Sequence, residues 1–294
     1  MLLSQFIREG SRRLEALYPP QEARSLVMRL VQDIGGFMPF DYIVRPDLEA
    51  PPVLEDALER LLGGEPLQYV AGFQEFYGRR FNVRPGVLIP RPETEILVRE
   101  ACLRALQMEA PRVLDLCTGS GCIAWSIALE APGAKVTAVD ISEAALEVAR
   151  DQKQSVLIPI DGERGFSGSK TPFNDPEFVL ADVLQEQEFP GAPFDILVAN
   201  PPYIRESEKA QMHPNVLEHE PAMALFVSDE DPLVFYRAIA AHAVRSLAPG
   251  GWGMAEINEA LGEETAAVFE AAGLGKVGIL RDYFGRDRFV TFTR

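Results

Sequence analysis

The feature that most constrains the fold is an alternation of short apolar runs with helical patterns from Arg112 onward. Runs such as RVLDL, KVTAVD, EFVLAD and FDILVAN have the length of buried strands, and helical segments lie between them. Such alternation with short connections is typical of parallel βαβ units, because parallel neighbours need a crossover connection. The pattern therefore predicts an α/β fold with a doubly wound sheet, which KVGIL and RFVTFTR close as the last two strands.

The first third of the chain reads differently, as a set of amphipathic helices. We expect one helix over 4–17 with Ser4 as its N-cap, one over 20–34, and one in VLEDALERLLGG after Pro51. Amphipathic helices must bury their apolar faces against one another. The pattern therefore predicts a small helical domain at the start of the chain.

Two further segments complete the organisation of the chain. The aromatic segments on either side of Gly78 predict a hairpin, and residues 151–176, rich in Gly, Ser, Pro and Asp, predict a long surface loop. The predicted domains are a helical domain at 1–72, a hairpin linker at 73–92 and the α/β domain at 93–294.

Composition excludes several classes of protein. Of the 294 residues 47% are apolar and 24% are charged, as in soluble globular proteins, and no apolar run is long enough to cross a membrane. The net charge of −16 disfavours direct nucleic-acid binding, which depends on Lys and Arg neutralising phosphates. The start lacks the pattern of a secretory signal, and the three cysteines and three histidines have neither disulfide nor zinc spacing. We expect a cytoplasmic, metal-free protein.

A glycine loop follows the first strand of the predicted sheet, where Asp115 to Gly121 reads DLCTGSG. Glycines at a strand–helix junction let the backbone approach a ligand, and the helix N-terminus offers free N–H groups. Asp140 ends the next strand, where a carboxylate can accept hydrogen bonds from ribose hydroxyls. The loop therefore predicts a nucleotide site, although Gly119 and Gly121 also suit a tight turn that binds nothing.

The loop alone does not distinguish NAD from S-adenosylmethionine, because Gly119-x-Gly121-x-x-Ala124 also fits the dinucleotide fingerprint. Asp115 favours S-adenosylmethionine, since a carboxylate repels a pyrophosphate and attracts the ammonium of a methionine group. Asp182, at the end of VLAD, is placed to reach an adenine amino group, although a polar residue at a strand end is an equally ordinary interpretation.

The fourth strand ends abruptly at Asn200-Pro201-Pro202-Tyr203. The side-chain carbonyl of Asn200 and the backbone carbonyl of Pro201 can accept both hydrogens of a planar NH₂ group, on which Tyr203 can stack. Amide and aromatic amine nitrogens are poor nucleophiles, and such a grip can turn the lone pair toward a methyl-sulfonium carbon. The segment therefore indicates methyl transfer to a planar nitrogen, rather than a simple strand end.

Three rival functions remain open at this point. An NAD-dependent oxidoreductase would use the glycine loop but gives no reason for Asn-Pro-Pro-Tyr. A nucleic-acid exocyclic-amine methyltransferase explains that segment, and the net charge of −16 counts against it. A non-catalytic binding module would tolerate the change of Asn200 to alanine without loss of function.

With these motifs the chain resembles the release-factor glutamine methyltransferases, the HemK/PrmC family. The resemblance covers nearly the whole length and extends to three flanking segments: PLQYVAGFQEFYGRRFNVRPGVLIPRPETE at 66–95, EPAMALFVSDEDPLVFYRAI at 220–239 and DYFGRDRFV at 282–290. Asn-Pro-Pro-Tyr by itself is shared with adenine-N6 DNA methyltransferases and some RNA guanine methyltransferases. The flanking segments are much more specific to the family.

The resemblance implies a class I methyltransferase domain of Rossmann-like fold, whose seven-stranded sheet has an antiparallel last strand. It also implies an N-terminal helical domain that recognises peptide chain release factors, and a hairpin linker. The implied reaction moves a methyl group from S-adenosyl-L-methionine to the side-chain nitrogen of the glutamine in the Gly-Gly-Gln motif of those factors, leaving S-adenosyl-L-homocysteine. The expected partner is thus a release factor, and the expected state is a monomer.

The resemblance also assigns roles to residues of the predicted motifs. Its departures are Cys117, where many methyltransferases have glycine, and Gln152, near a position where we expect asparagine. The cofactor would lie against Asp115, Cys117, Thr118, Gly119, Ser120, Gly121, Asp140, Asp182, Val183 and Asn200. The glutamine would lie against Asn200, Pro201, Pro202 and Tyr203, of which Asn200, Pro201 and Tyr203 would be catalytic.

Overall fold

The structure, a computed structural model, describes residues 1–157 and 172–294. These residues form two compact units, one of residues 1–73 with 212–219 and one of residues 74–211 with 220–294. The helices are α1 (Leu3–Leu14), α2 (Pro20–Asp33), α3 (Asp41–Val44), α4 (Pro52–Leu62), α5 (Leu67–Ala71), α6 (Glu95–Ala105), α7 (Cys122–Glu130), α8 (Glu143–Asp151), α9 (Lys153–Val156), α10 (Pro214–His219), α11 (Ala222–Leu225), α12 (Val234–Ser246) and α13 (Gly262–Ala271). The strands are β1 (Phe73–Phe76), β2 (Arg79–Asn82), β3 (Arg112–Leu116), β4 (Lys135–Asp140), β5 (Glu177–Leu180), β6 (Phe194–Ala199), β7 (Ile204–Arg205), β8 (Phe226–Val227), β9 (Leu247–Glu256), β10 (Gly275–Arg281) and β11 (Asp287–Thr293).

The first unit is helical, and α1, α2 and α4 bury their apolar faces in a common core. The three predicted helices are present, but the first spans Leu3–Leu14 rather than 4–17, so its predicted cap and its predicted end are both wrong. The N-cap is Leu2 rather than Ser4, because the Leu3 N–H donates to the carbonyl of Leu48 (2.8 Å) and draws the chain into the helix earlier. The side chain of Gln5 accepts from the Leu2 N–H (3.1 Å) and completes this start.

A two-stranded hairpin of β1 and β2 precedes the large sheet. Its two turn residues, Tyr77 and Gly78, both have positive φ angles, of 49° and 73°. Two such residues suit the turn types that match the twist of paired strands. The hairpin predicted about Gly78 is confirmed.

The second unit is built on a seven-stranded sheet of order β10-β11-β9-β6-β3-β4-β5. Strands β9, β6, β3, β4 and β5 are parallel, whereas β11 runs antiparallel to both of its neighbours. The doubly wound sheet and its antiparallel last strand are therefore confirmed. The chain proceeds outward from β3 through β4 to β5 and then returns to β6 on the other side of β3. The carboxyl ends of β3 and β6 thus form the switch point at which ligands bind in such sheets.

The central strands are apolar on both faces because helices cover both faces of the sheet. Val113 and Ile196 point into a core shared with α6 and α7, whereas Leu114 and Leu197 point into a second core with α12 and α13. Alternate residues of each strand serve opposite layers, which explains the continuous apolar runs. The predicted helix near 233–247 corresponds to α12.

The prediction of a surface loop at 151–176 is wrong for residues 151–156, which are mostly helical. Helix α8 continues to Asp151, and α9 follows directly because Gln152 and Val156 are buried. Residues 158–171 lie outside the described residues. No helix of the part that the structure describes combines the length and apolar composition needed to cross a bilayer.

Candidate active site

A cavity of about 350 Å³ lies at the carboxyl edge of the sheet, beside the ends of β3, β4 and β6. This volume falls in the range of small-molecule sites. Seven of the predicted site residues line it: Cys117, Gly119, Asp140, Asp182, Val183, Asn200 and Pro202. Asp115, Thr118, Ser120, Gly121, Pro201 and Tyr203 do not line it. Sequence motifs separated by more than 80 residues therefore meet at one cavity.

The glycine loop turns sharply between β3 and α7, and its two glycines have different tasks. Gly119 has φ +55°, and a Cβ placed on it would meet no atom within 4 Å. Gly121 has φ +76°, and its Cβ would lie 2.9 Å from the Cβ of Ala149 and 3.2 Å from Cδ1 of Trp125. Gly119 therefore leaves open space beside the cavity, whereas Gly121 permits close packing of α7 against its neighbours.

Cys117, like Gly119 and Gly121, has a positive φ angle, which is 61°. That conformation favours glycine, which accounts for the glycine that many methyltransferases have at this position. The thiol lines the cavity, and burial raises its pKa well above the ordinary value, with the charge of Asp140 adding to the effect. Cys117 is therefore a neutral, uncharged part of the wall.

Asp140 ties the glycine loop to the start of α8. One carboxylate oxygen accepts from the Gly119 N–H (2.8 Å) and the other from the Ser142 N–H (2.9 Å). Burial raises the pKa of Asp140, and these two N–H groups oppose that shift. Each carboxylate oxygen can accept more than one hydrogen bond, so a fixed acidic acceptor remains for paired hydroxyls at the cavity wall.

Asp115 is fully buried beneath the glycine loop and accepts a hydrogen bond from the Thr118 hydroxyl (2.6 Å). Burial raises the pKa of Asp115 to about 7, against the opposing effect of that hydroxyl. Because the side chain does not line the cavity, its contact with a cofactor ammonium stays a prediction. In the structure it braces the loop from below.

The opposite side of the cavity follows β5. Asp182 accepts from the Leu184 N–H (2.9 Å), and the carbonyl of Val183 lies 2.9 Å from Nε2 of His242. These bonds hold the segment after β5 along the cavity. Its contacts with an adenine ring stay a prediction.

Gln152 explains a departure from the family pattern. Its amide oxygen accepts from the Asn82 N–H (2.8 Å), and its amide nitrogen donates to the carbonyls of Asn82 (2.8 Å) and Ser120 (3.2 Å). Gln152 therefore ties the hairpin to the glycine loop rather than lining the cavity.

An ion pair between the buried Glu220 and the partly exposed Arg91 joins two segments of the cavity rim. Glu220 accepts from Arg91 Nη2 (2.6 Å) and from the Ile89 N–H (3.1 Å), and its side chain is 1% exposed. Residues on either side of this clamp, among them Leu88 and Pro221, line the cavity. The clamp therefore holds the segment before α6 against the segment that leads into α11.

Asn-Pro-Pro-Tyr follows the end of β6, as predicted, with Asn200 on the cavity wall. Asn200 Nδ2 donates to the hydroxyl of Thr94 (3.4 Å), and that hydroxyl donates to Glu256 (2.7 Å). The Tyr203 hydroxyl donates to the other oxygen of Glu256 (2.9 Å). Burial, with the nearby charge of Glu256, raises the pKa of Tyr203 well above its ordinary value, so the phenol keeps its proton.

Thr94 and Glu256 are the two residues of this network that sequence reasoning missed. The available signal was a single carboxylate at the end of the apolar run GWGMAE, where an unpaired charge would be costly. Among the residues that the structure describes, no three His, Cys, Asp or Glu side chains come together as metal ligands.

The sheet order, with one antiparallel strand beside the parallel ones and a cavity at the switch point, is that of a class I methyltransferase. The family described as "Methyltransferase small domain" matches residues 94–225. The release factor glutamine methyltransferase of Bacteroides thetaiotaomicron is 39% identical over 99% of both chains. Those of Flavobacterium psychrophilum and Neisseria gonorrhoeae are 35% and 38% identical, over 99% and 92% of this chain and 98% and 92% of theirs. The chain belongs to the release factor glutamine methyltransferase family.

Proposed function

We propose that this protein methylates the side-chain amide nitrogen of the glutamine in the Gly-Gly-Gln motif of peptide chain release factors, with S-adenosyl-L-methionine as donor. The observation that carries the proposal is that Gly119, Asp140 and Asn200 line one cavity, which supports a cofactor site next to a site for the substrate amide. The names of relatives that match over almost the whole chain support the substrate. The reaction leaves S-adenosyl-L-homocysteine.

The residues present fit such a cofactor. No atom lies within 4 Å of a Cβ placed on Gly119, so the cofactor can approach the backbone there. Asp140 is fixed by the Gly119 N–H and can accept from two ribose hydroxyls. The cavity wall at Asp182 and Val183 can take the adenine ring. S-adenosylmethionine, when bound, supplies an electrophilic sulfonium methyl group. Three buried residues of the loop support its conformation and do not line the cavity: Thr118, Ser120 and Gly121.

The substrate amide is held by the chain's own carbonyl groups. We propose that Asn200 Oδ1 and the Pro201 carbonyl accept the two amide hydrogens and that the ring of Tyr203 with Pro202 covers the amide plane. Of these four residues, Asn200 and Pro202 line the cavity, whereas Pro201 and Tyr203 do not. This grip directs the weakly nucleophilic nitrogen at the methyl group, and the nitrogen releases one of its two protons to solvent after the transfer. Orientation of this kind is worth about 7–11 kcal/mol in favourable cases, so no strong base is needed before methyl transfer.

Recognition of the whole release factor is assigned to the N-terminal helical domain, residues 1–72. The net charge of −16 complements a partner that carries basic, RNA-binding surfaces. The complex should weaken as ionic strength rises, which a titration of binding against salt measures; affinity independent of salt would contradict this part. We place the enzyme in the cytoplasm, as a monomer.

The test of the site compares Asn200→Ala with Asn174→Ala in methylation of a purified, unmodified release factor. Asn174 is exposed and does not line the cavity, so it serves as the matched control. We expect Asn200→Ala to lower kcat at least about 100-fold while the fold and thermal stability persist. Wild-type turnover in Asn200→Ala would refute the assigned role of this segment.

A further inference from the structure

A buried carboxylate behind the Asn-Pro-Pro-Tyr segment has no role in the reaction described above. Glu256 is the last residue of β9, is 1% exposed and does not line the cavity. One of its oxygens accepts from the Thr94 hydroxyl (2.7 Å) and the other from the Tyr203 hydroxyl (2.9 Å). A carboxylate buried without a function would be a liability, because burial of a charge is costly. Each of its oxygens instead accepts from a side chain connected to the Asn-Pro-Pro-Tyr segment: Thr94 is hydrogen-bonded to Asn200, and Tyr203 belongs to the segment.

In the hydrogen-bond chain from Asn200 through Thr94 to Glu256, each residue donates to the next. A threonine hydroxyl has a single proton, and here that proton is donated to Glu256. The Thr94 oxygen is therefore left as an acceptor, and it accepts from Nδ2 of Asn200 at 3.4 Å. An amide that points its NH₂ group toward Thr94 keeps its oxygen free for another partner. Glu256 thus determines, through the Thr94 hydroxyl, which end of the Asn200 amide points away from Thr94.

The second connection fixes the aromatic ring of the same segment. The Tyr203 hydroxyl is held by Glu256, while the Tyr203 carbonyl accepts from Nδ2 of Asn258 (3.1 Å). The main chain of Glu256 is itself anchored, because its carbonyl accepts from the hydroxyl of Tyr236 (3.1 Å). Tyr203 is therefore tied at both its ring end and its backbone.

Both oxygens of Glu256 act as hydrogen-bond acceptors, which is the bonding of an ionised carboxylate. Burial raises the pKa of Glu256 and the charge of Glu93 adds to the effect, while the two hydroxyls and the positive charge of Arg288 offset part of it. An ionised carboxylate can only accept hydrogen bonds, so it imposes the donor role on both hydroxyls at once. A neutral group in its place would impose it on one of them only.

We propose that Glu256 and Thr94 are positioning residues that hold Asn200 with its oxygen toward the substrate amide and hold the ring of Tyr203 over it. This inference rests on the proposed function, because the substrate amide is the group being oriented. Neither residue lines the cavity. Their effect is transmitted through Asn200 and Tyr203, which lie 106 residues from Thr94 and 53 residues from Glu256, respectively.

The isosteric change Glu256→Gln tests the proposal. A glutamine has one accepting oxygen and one donating NH₂ group, so it satisfies only one of the two hydroxyls as donors. Either the Thr94–Asn200 polarity reverses or the Tyr203 hydroxyl loses its acceptor. We expect kcat with a Gly-Gly-Gln release factor to fall about 10- to 100-fold. The KM for S-adenosylmethionine should stay within about twofold, because the cofactor side of the cavity is untouched.

A second pair of variants keeps the proposal falsifiable if Glu256→Gln unfolds. Thr94→Val removes the hydroxyl at constant shape and should lower kcat by a similar factor. Thr94→Ser restores the hydroxyl and should recover most of the loss. The double variant Glu256→Gln/Thr94→Val should be less impaired than the product of the two single effects, because both act through Asn200.

The outcomes separate this inference from the proposed function. If the wild-type enzyme fails to methylate the release factor, the proposed function is wrong and the inference falls with it. If the wild type methylates it and Thr94→Val keeps the wild-type kcat, the function stands and the positioning role is refuted. Loss of kcat in Thr94→Val that Thr94→Ser does not restore would also refute it.

Discussion

A methyl group added at Gly119 should damage cofactor binding more than it damages folding. Alanine at φ +55° carries a left-handed backbone cost of about 1–2 kcal/mol. It adds no clash, since the new Cβ meets no atom within 4 Å. The methyl group would nevertheless enter open space beside the cavity that Gly119 lines, where we place the cofactor. Gly119→Ala should therefore weaken S-adenosylmethionine binding at least about tenfold, or 1.4 kcal/mol.

Gly121→Ala is the matched control for this prediction. It carries the same kind of backbone cost at φ +76°, and its Cβ also clashes with Ala149 at 2.9 Å. Overpacking adds about 1–3 kcal/mol, so Gly121→Ala should lose clearly more unfolding free energy than Gly119→Ala. Urea unfolding measures the stability of both variants, and isothermal titration calorimetry measures cofactor affinity. Wild-type cofactor affinity in Gly119→Ala would contradict the placement of the cofactor beside Gly119, and equal destabilisation by the two changes would contradict the packing role of Gly121.

Two further predictions concern buried charges of the second unit. Burial raises the pKa of Asp115 to about 7, so the folded state binds its proton more tightly than the unfolded chain does. Stability from this group is present below about pH 4 and is lost as pH rises toward 7, by up to about 4 kcal/mol. Asp115→Asn should remove that part of the pH dependence in urea unfolding, and an unchanged slope would contradict the shift. Arg91→Met removes the cation from the buried Glu220 carboxylate and should cost about 1–3 kcal/mol of unfolding free energy, because Glu220 keeps the Ile89 N–H and Arg91 is itself 34% exposed. The double variant Arg91→Met/Glu220→Gln should recover part of this loss, and no recovery would refute the clamp.

The sheet could be predicted from the sequence because burial on both faces leaves continuous apolar runs. Alternate residues such as Val113 and Leu114 serve opposite cores, and no polar pattern interrupts them. The cap of α1 could not be predicted, since Leu2 rather than Ser4 is chosen by a hydrogen bond from Leu3 to the distant Leu48. Local capping preference yields to such tertiary contacts.

The site was predictable where each motif ends a strand, because parallel strands present their carboxyl ends at one edge. Asn200, Asp140 and Gly119 meet for that reason. The burial of Asp115 could not be predicted from its position near the end of β3. Its side chain lies beneath the glycine loop and is fully buried, whereas other residues at strand ends line the cavity. The bond between Thr94 and Glu256 joins residues 162 positions apart, and no local pattern encodes such a pair.

The most direct test of the central claim is mass spectrometry of the Gly-Gly-Gln peptide, after incubation of an unmodified release factor with this protein and S-adenosylmethionine. We expect one added methyl group, located by fragmentation on the glutamine side chain. An unmodified glutamine, together with demonstrated S-adenosylmethionine binding, would contradict the proposed substrate while leaving the fold and the cofactor in place. Exocyclic amines of nucleic acids, assayed in parallel, would then be the next substrates to test.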